Sequence, residues 1–270
     1  MNKLSIGDAW TETAAFLRAE RRMVAPLALA LLALPATILT LVMPGENSGS
    51  AGSLFQQPPP GPWIIVALAA FSIMLVGQLA ISRLALGWHG TLADALRHGA
   101  RRILPMFGAN LLLTVIVVIP LVVILAVIQL AIMAATNLAA PAAANAALFL
   151  VAIPLLALFG RASLSLPVSA GTNIGPIRIL RRAFSISRGA SVRILGFVLL
   201  FIFAAAIVAS ASAAVIGSLV ITLLGQPHPW TVSAMLLALS AGLIQALIIA
   251  MWSVMLSRIY AQLAIVPAAF

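Results

Sequence analysis

Six long apolar segments restrict the fold of this chain more than any other feature of its sequence. A helix needs about 20 mostly apolar residues to cross a bilayer, because about 30 Å of hydrocarbon must be covered at a rise of about 1.5 Å per residue. The segments that meet this length are 23–43, 63–83, 103–136, 141–161, 193–224 and 231–258. With 63% hydrophobic and 7% charged residues, the composition excludes a water-soluble enzyme as the default. We predict an all-α, polytopic membrane protein in which residues 1–270 form a single six-span domain.

The placement of arginine and lysine predicts how these spans are oriented. All fifteen basic residues lie before the first span, between spans two and three, between spans four and five, or at the end of span six. The remaining connections, 44–62, 137–140 and 225–230, contain none. Because Lys and Arg are retained in short cytoplasmic loops, we expect three hairpins with both termini cytoplasmic. The first span is longer than the apolar region of a cleaved signal peptide, so we expect it to be retained.

Amphipathic segments before the odd-numbered spans predict short helices at the cytoplasmic interface. Ser5 with Asp8, and Thr91 with Asp94, match capping boxes, in which a hydroxyl accepts a hydrogen bond from an amide at the helix start. After Thr91 the predicted apolar face is Leu92, Leu96, Ala100 and Ile103, and the predicted polar face is Arg97, Arg101 and Arg102. A third such segment covers residues 176–189 and carries Arg178, Arg181 and Arg182 on its polar side.

The same order of elements recurs and predicts an internal repeat. SIGDAW at 5–10 matches TLADAL at 91–96 in chemical type, and the even-numbered spans end in SRLAL, GRASL and SRIYA. We predict three units of interfacial helix, span, outer loop and span, at about 1–87, 88–169 and 170–270.

Residues that carry acid–base or metal chemistry are missing from the predicted spans. The five carboxylates are Asp8, Glu12, Glu20, Glu46 and Asp94, all outside the spans. Their position argues against a cation-driven secondary transporter and an intramembrane aspartyl protease. His89 and His98 are expected on the opposite side of the membrane from His228, and the chain has no cysteine. We therefore predict a non-enzymatic protein without catalytic residues, metal or cofactor.

Small residues recur every fourth position in the fifth span and predict close helix packing. They are Ala205, Ala209, Ala213 and Gly217. Such a ridge fits either a core helix or the seam of a homo-oligomer, and a membrane-protein partner is also open.

Prolines and amide side chains within the spans leave a transport function open. Pro35, Pro120 and Pro154 are expected to kink their helices, each releasing a backbone carbonyl. The most polar side chains expected inside the spans are Gln78, Asn110, Gln129 and Gln245. Hydrogen bonding between helices and contact with a substrate both explain them, so a permease or transporter subunit with a mid-membrane cavity is an alternative function.

The positive charge points to lipid rather than to nucleic acid. The formal net charge of +10 is spread along one membrane face instead of being concentrated in a soluble module. Arginines beside membrane spans attract anionic lipid headgroups, although span orientation alone requires similar charges. The candidate headgroup contacts are Arg101, Arg102, Arg181, Arg182 and Arg188.

Two cytoplasmic motifs and the hairpin order resemble a known family. The motifs are SIGDAW followed by an arginine-rich turn and a span, and GPIRILRRAFSISRG at 175–189. They resemble the six-helix membrane region of the glycerophosphoryl diester phosphodiesterase membrane-domain family, over nearly the whole chain. In some relatives this region is fused to a soluble phosphodiesterase barrel, for which the six spans leave no room. The resemblance implies a fold and a bacterial inner-membrane location but no catalysis; a membrane-embedded lipid-acting enzyme is the second alternative.

Overall fold

A computed structural model of the chain describes residues 5–42, 61–88, 90–136, 140–228 and 230–264. Within these ranges all regular secondary structure is helical. The predicted outer loops at 44–62 and 137–140 lie outside the described residues, apart from 61, 62 and 140. Glu46 and His89 lie outside them as well.

Eleven α-helices and two π-helical turns make up the described part of the chain. They are α1 (Ile6–Ala19), α2 (Arg21–Ala28), π1 (Leu29–Ala33), α3 (Leu34–Val42), α4 (Trp63–Ala85), α5 (Leu92–Leu113), π2 (Thr114–Val118), α6 (Ile119–Thr136), α7 (Ala140–Ser163), α8 (Ser165–Gly171), α9 (Pro176–Ile186), α10 (Ser191–Leu224) and α11 (Val232–Ala264).

Five helical stretches are long and apolar enough to cross a membrane, which is consistent with an all-α membrane protein. They are Arg21–Val42, Trp63–Ala85, Leu92–Ala135, Ser191–Leu224 and Val232–Ala264. The fourth predicted span, 141–161, falls on α7, whose side chains are described only in part. Helix α6 contacts α7, and α10 contacts α11. Six spans in three hairpins, the single domain and the threefold repeat stay predictions.

Each π turn ends two residues before a proline. Turn π1 precedes Pro35 and π2 precedes Pro120. Because proline has no amide hydrogen and its ring collides with the carbonyl four residues earlier, a wider turn relieves the collision. The Thr37 hydroxyl donates to the carbonyl of Ala33 at 2.8 Å. The expected distortions at Pro35 and Pro120 thus take the form of π turns, whereas Pro154 lies among side chains that the structure does not describe.

The helix that starts after Thr91 is longer than predicted, and its buried face differs from the predicted one. Helix α5 continues through π2 into α6, so the expected interfacial helix is the first part of one long helix. Its buried residues include Ala95, Gly99, Arg102 and Met106. The predicted apolar face was therefore wrong at Ala100, which is exposed, and the predicted polar face was wrong at Arg102. A Cβ on Gly99 would lie 3.0 Å from the carbonyl oxygen of Val76, so α4 approaches too closely for a larger side chain.

The amphipathic character of the segment at 176–189 is confirmed. Helix α9 buries Ile179 and Ala183 and exposes Arg178, Arg181 and Arg182. The chain then turns through Gly189, whose φ of 88° lies in the left-handed region that favours glycine.

The sequence analysis does not predict α8, which lies in the core. All six residues 165–170 are buried, and α8 contacts α4, α5, α9 and α11. Next to it, Leu164 and Val168 belong to an apolar cluster with Phe197, Met255 and Ile259. Helix α8 therefore joins segments that are far apart in the sequence.

Candidate functional site

Contacts between distant segments gather the arginine-bearing ends of the helices at one end of the bundle, which we call the basic end. These contacts are Ser5 N to Gln262 Oε1 at 3.3 Å, Arg102 Nη1 to Ile174 O at 3.0 Å, Arg161 Nε to Ser191 Oγ at 3.0 Å, and the Arg258 guanidinium over the Phe16 ring at 5.4 Å. Each joins a segment that carries arginine to another segment at the same end. The basic end is the side that the arginine distribution predicts to be cytoplasmic.

Four of the five candidate headgroup arginines are on the surface. Arg101, Arg181, Arg182 and Arg188 are exposed. Arg102 is only 7% exposed, and its Nη1 donates to the carbonyl of Ile174. The candidates therefore separate into an exposed set, concentrated on and after α9, and one buried guanidinium.

A cavity of about 520 Å³ opens at the basic end, and we call it the polar cavity because Arg83 and His98 are among its lining residues, whereas Arg102 is not. The side chains of Arg83, Trp88 and His98 line it, together with the segment Gly171, Thr172 and Asn173 that follows α8. Helix α4 supplies Arg83 from its last turn, and α5 supplies His98 from its second turn. Two consecutive helices, α4 and α5, and the distant segment that follows α8 thus build its walls.

The guanidinium of Arg83 lies over an aromatic ring. Its Cζ lies 4.0 Å from the centre of the Trp88 ring, a cation–π distance. Its Nε is buried and has no hydrogen-bond partner in the described part of the chain. Trp88 therefore contacts the guanidinium, while one donor of Arg83 has no partner among the described residues.

His98 and Arg102 lie one helical turn apart on the same side of α5. His98 hydrogen bonds to the backbone of Ala170 at the end of α8, while its Nε2 is buried without a partner among the described residues. Arg102 leaves its Nε and Nη2 unused in the same way. The charges of Arg83 and Arg102 both act on His98 and repel each other.

Among the residues that the structure describes, no carboxylate lines this cavity. Asp94 acts on Arg83 from nearby, but its carboxylate accepts a hydrogen bond from the Thr91 hydroxyl at 2.6 Å. No Asp or Glu follows Asp94 in the sequence. The cavity is therefore cationic and offers hydrogen-bond donors, an environment suited to an anion.

A second cavity, of about 510 Å³, is apolar. It lies between α1, α10 and α11, with Trp10, Phe197 and Met251 among its lining residues. Neither cavity is lined by Gln78, Asn110, Gln129 or Gln245. The two cavities thus give no support to a transport route past these side chains.

The small-residue ridge of the fifth predicted span packs against the described part of the chain at one end and is exposed farther along. Ala205 packs against the apolar cluster around Phe197. Ala209 and Ala213 are exposed, and a Cβ on Gly217 would meet nothing within 4 Å. The exposed part of the ridge leaves the homo-oligomer interpretation as a prediction.

Sequence reasoning identified Arg102 but missed the cavity that Arg83 and His98 line. Arg83 was interpreted only through span orientation, and His98 as an interfacial histidine without a role. The one available signal was the four-residue spacing of His98 and Arg102, which places both on one face of a helix. In the part of the chain that the structure describes, no group of three or more His, Cys, Asp or Glu residues could hold a metal ion.

Comparisons of this chain with protein-family models, with curated proteins and with solved structures give no match.

Proposed function

We propose that this chain is a non-enzymatic, multi-pass protein of the bacterial inner membrane that associates with anionic lipids through exposed arginines at the basic end. The observation that supports this most directly is α9. Its apolar face is buried against the core while Arg178, Arg181 and Arg182 stay exposed, and Arg188 follows within the next turn. A helix anchored in this way holds its guanidinium groups at a fixed face.

Electrostatics favours anionic lipid as the partner of this face. Each basic residue close to an anionic leaflet contributes about 1 kcal/mol of attraction. Because no Asp or Glu occurs after residue 94, the arginines around α9 have no acidic neighbour in their own part of the sequence. The proposed cytoplasmic location of the basic end would place them at the leaflet that carries anionic headgroups.

Two further elements belong to the same proposal. The likeness to the glycerophosphoryl diester phosphodiesterase membrane-domain family supports the membrane location and carries no activity with it. The exposed Ala209 and Ala213 support a second copy of the chain, or another membrane protein, as a partner along α10, since small residues let helices approach closely.

Lipid selectivity of the purified chain tests the proposal. We expect native mass spectrometry to show retention of phosphatidylglycerol and cardiolipin over phosphatidylcholine. The triple variant R181Q/R182Q/R188Q should lose roughly a hundredfold of this preference, because three charges at about 1 kcal/mol each are removed.

The matched control is R181K/R182K/R188K, which retains the three charges and should retain most of the preference. Equal retention of anionic and zwitterionic lipid by the unmodified chain would refute the proposal.

A further inference from the structure

Arg102 has buried hydrogen-bond donors that have no acceptor among the described residues. A buried guanidinium that engages one of its nitrogens and leaves two without partners carries a desolvation cost that an acceptor would remove. Arg102 donates from Nη1 to the carbonyl of Ile174, whereas Nε and Nη2 are buried without a partner in the described residues. Arg102 is 7% exposed and is not among the residues that line the polar cavity, so its contribution there is the positive charge that it adds beside His98.

Two other cationic or polar side chains leave donors unused in the same region. Arg83 and His98 line the polar cavity, and the charges of Arg83, His98 and Arg102 influence one another. The buried Nε of Arg83 and Nε2 of His98 also have no partner in the described part of the chain. Side chains from α4 and α5 therefore place positive charge and hydrogen-bond donors at the polar cavity.

Capping of helix ends explains part of this arrangement but not all of it. His98 bonds to the backbone of Ala170, and Arg102 to that of Ile174, so both stabilise the chain where α8 ends. Each of these bonds uses one nitrogen of its side chain. The remaining donors need an acceptor that the surrounding backbone does not provide.

We propose that the polar cavity binds a phosphate group, carried either by a lipid headgroup or by a free phosphorylated small molecule. The oxygens of a phosphate point in several directions, so a phosphate can accept hydrogen bonds from more than one wall of the cavity, and arginine can pair with two of its oxygens at once. At about 520 Å³ the cavity is larger than a phosphate alone requires. The remaining volume borders Thr172 and Asn173, which can hydrogen bond to the polar group that the phosphate esterifies.

This inference deepens the proposed lipid association and rests on it only where the phosphate belongs to a lipid. The exposed arginines of α9 would attract an anionic surface without selecting a headgroup. The cavity would instead bind one phosphate group in a defined position. The lipid association through α9 and the phosphate binding in the cavity can therefore be refuted separately.

The experiment is a thermal-unfolding titration of the full chain in dodecyl maltoside, which contains no phosphate. The probes are inorganic phosphate, glycerol 3-phosphate and dioctanoyl phosphatidic acid, with sodium chloride at equal ionic strength as the screening control. We expect at least one phosphate-bearing probe to raise the melting temperature, because a ligand that binds the folded state stabilises it. Stabilisation by the water-soluble probes would identify a free phosphorylated ligand, and stabilisation by phosphatidic acid alone would identify a lipid headgroup.

The variants locate the site. R83Q and H98N should each weaken binding about tenfold or more, whereas R22Q, at an exposed arginine of α2 that lines neither cavity, should bind as the unmodified chain does. R102Q removes the positive charge beside His98 and should also weaken binding, and R83Q keeps the test valid if R102Q fails to fold. The proposal is overturned if no phosphate-bearing probe stabilises the chain beyond sodium chloride, or if folded R83Q and H98N bind as tightly as the unmodified chain.

Discussion

Single glycines determine how closely the helices approach the first predicted span. A Cβ on Gly242 of α11 would lie 2.8 Å from the carbonyl oxygen of Ala33 and 2.9 Å from the amide nitrogen of Thr37. On α4, a Cβ on Gly77 would lie 2.9 Å from Cβ of Leu31. Helices α11 and α4 therefore pack closely against π1 and α3 at glycine positions, where a larger side chain would not fit.

Gly242→Ala should destabilise the protein by about 1–3 kcal/mol, because the added methyl meets backbone atoms that cannot move independently. The measurement is the melting temperature of the purified chain in detergent. Gly217→Ala is the matched control, since a Cβ there meets nothing within 4 Å, and it should leave the melting temperature unchanged or slightly raised. A melting temperature as high for Gly242→Ala as for Gly217→Ala would contradict the close approach.

Residues whose role depends on near neighbours in the sequence were predictable. The hydroxyls of Ser5 and Thr91 each accept a hydrogen bond, at 3.2 Å, from the amide three residues later, as the capping boxes predict. The role of Arg102 was not predictable, because its partner Ile174 lies 72 positions away. A helical pattern predicts which face of the helix a residue occupies. It does not predict that a backbone carbonyl far away in the sequence accepts a hydrogen bond from an arginine and holds it in the interior.

At the scale of elements, α9 and α8 show why one helix was predicted and the other was not. Helix α9 has an apolar face and a basic face, so its sequence carries a helical period. Helix α8 is seven residues long and buried up to Ala170, and because its two serines, Ser165 and Ser169, are buried as well, no charged or exposed polar face reveals a period. Its position follows from packing alone.

Burial of one face of α9 gives a test with a control on the same helix. Ile179 is 0% exposed and Ile177 is 63% exposed. Ile179→Ala should cost about 2–5 kcal/mol of stability because it leaves a cavity in the core. Ile177→Ala should change stability by no more than about 0.5 kcal/mol.

Thermal unfolding in detergent measures both variants, with lipid retention as a second readout. If the two substitutions lower the melting temperature equally, the orientation of α9 described above is wrong, and with it the exposure of its arginines.

For the whole molecule, hydropathy predicts which segments are helical and apolar, but not how they pack. Large apolar side chains cover the outside as well as the core: Ile65, Leu104 and Phe203 are all exposed. When every face of a helix is apolar, its sequence does not show which face meets protein. The cavity lined by Arg83 and His98 depends on that packing, so it could not be derived from the sequence.

Cysteine labelling tests the orientation of the chain, because the sequence contains no cysteine. Ser185 in α9 and Gln226 after α10 are both exposed, and α10 lies between them. With a cytoplasmic basic end, a membrane-impermeant maleimide should label Gln226→Cys in spheroplasts and Ser185→Cys only after lysis. Labelling of both positions from the same side would show that α10 does not cross, and the reverse pattern would place the basic end outside.

The two π turns change how the long helices must be drawn on a helical wheel. Each adds one residue to a turn, and in an α-helix one residue corresponds to a rotation of about 100°. Side chains after Val118 are therefore out of phase with those before Thr114, although the helix is continuous from Leu92 to Thr136. A single wheel through that stretch, or through Arg21–Val42, would assign the lipid-facing side of its second half to the wrong residues.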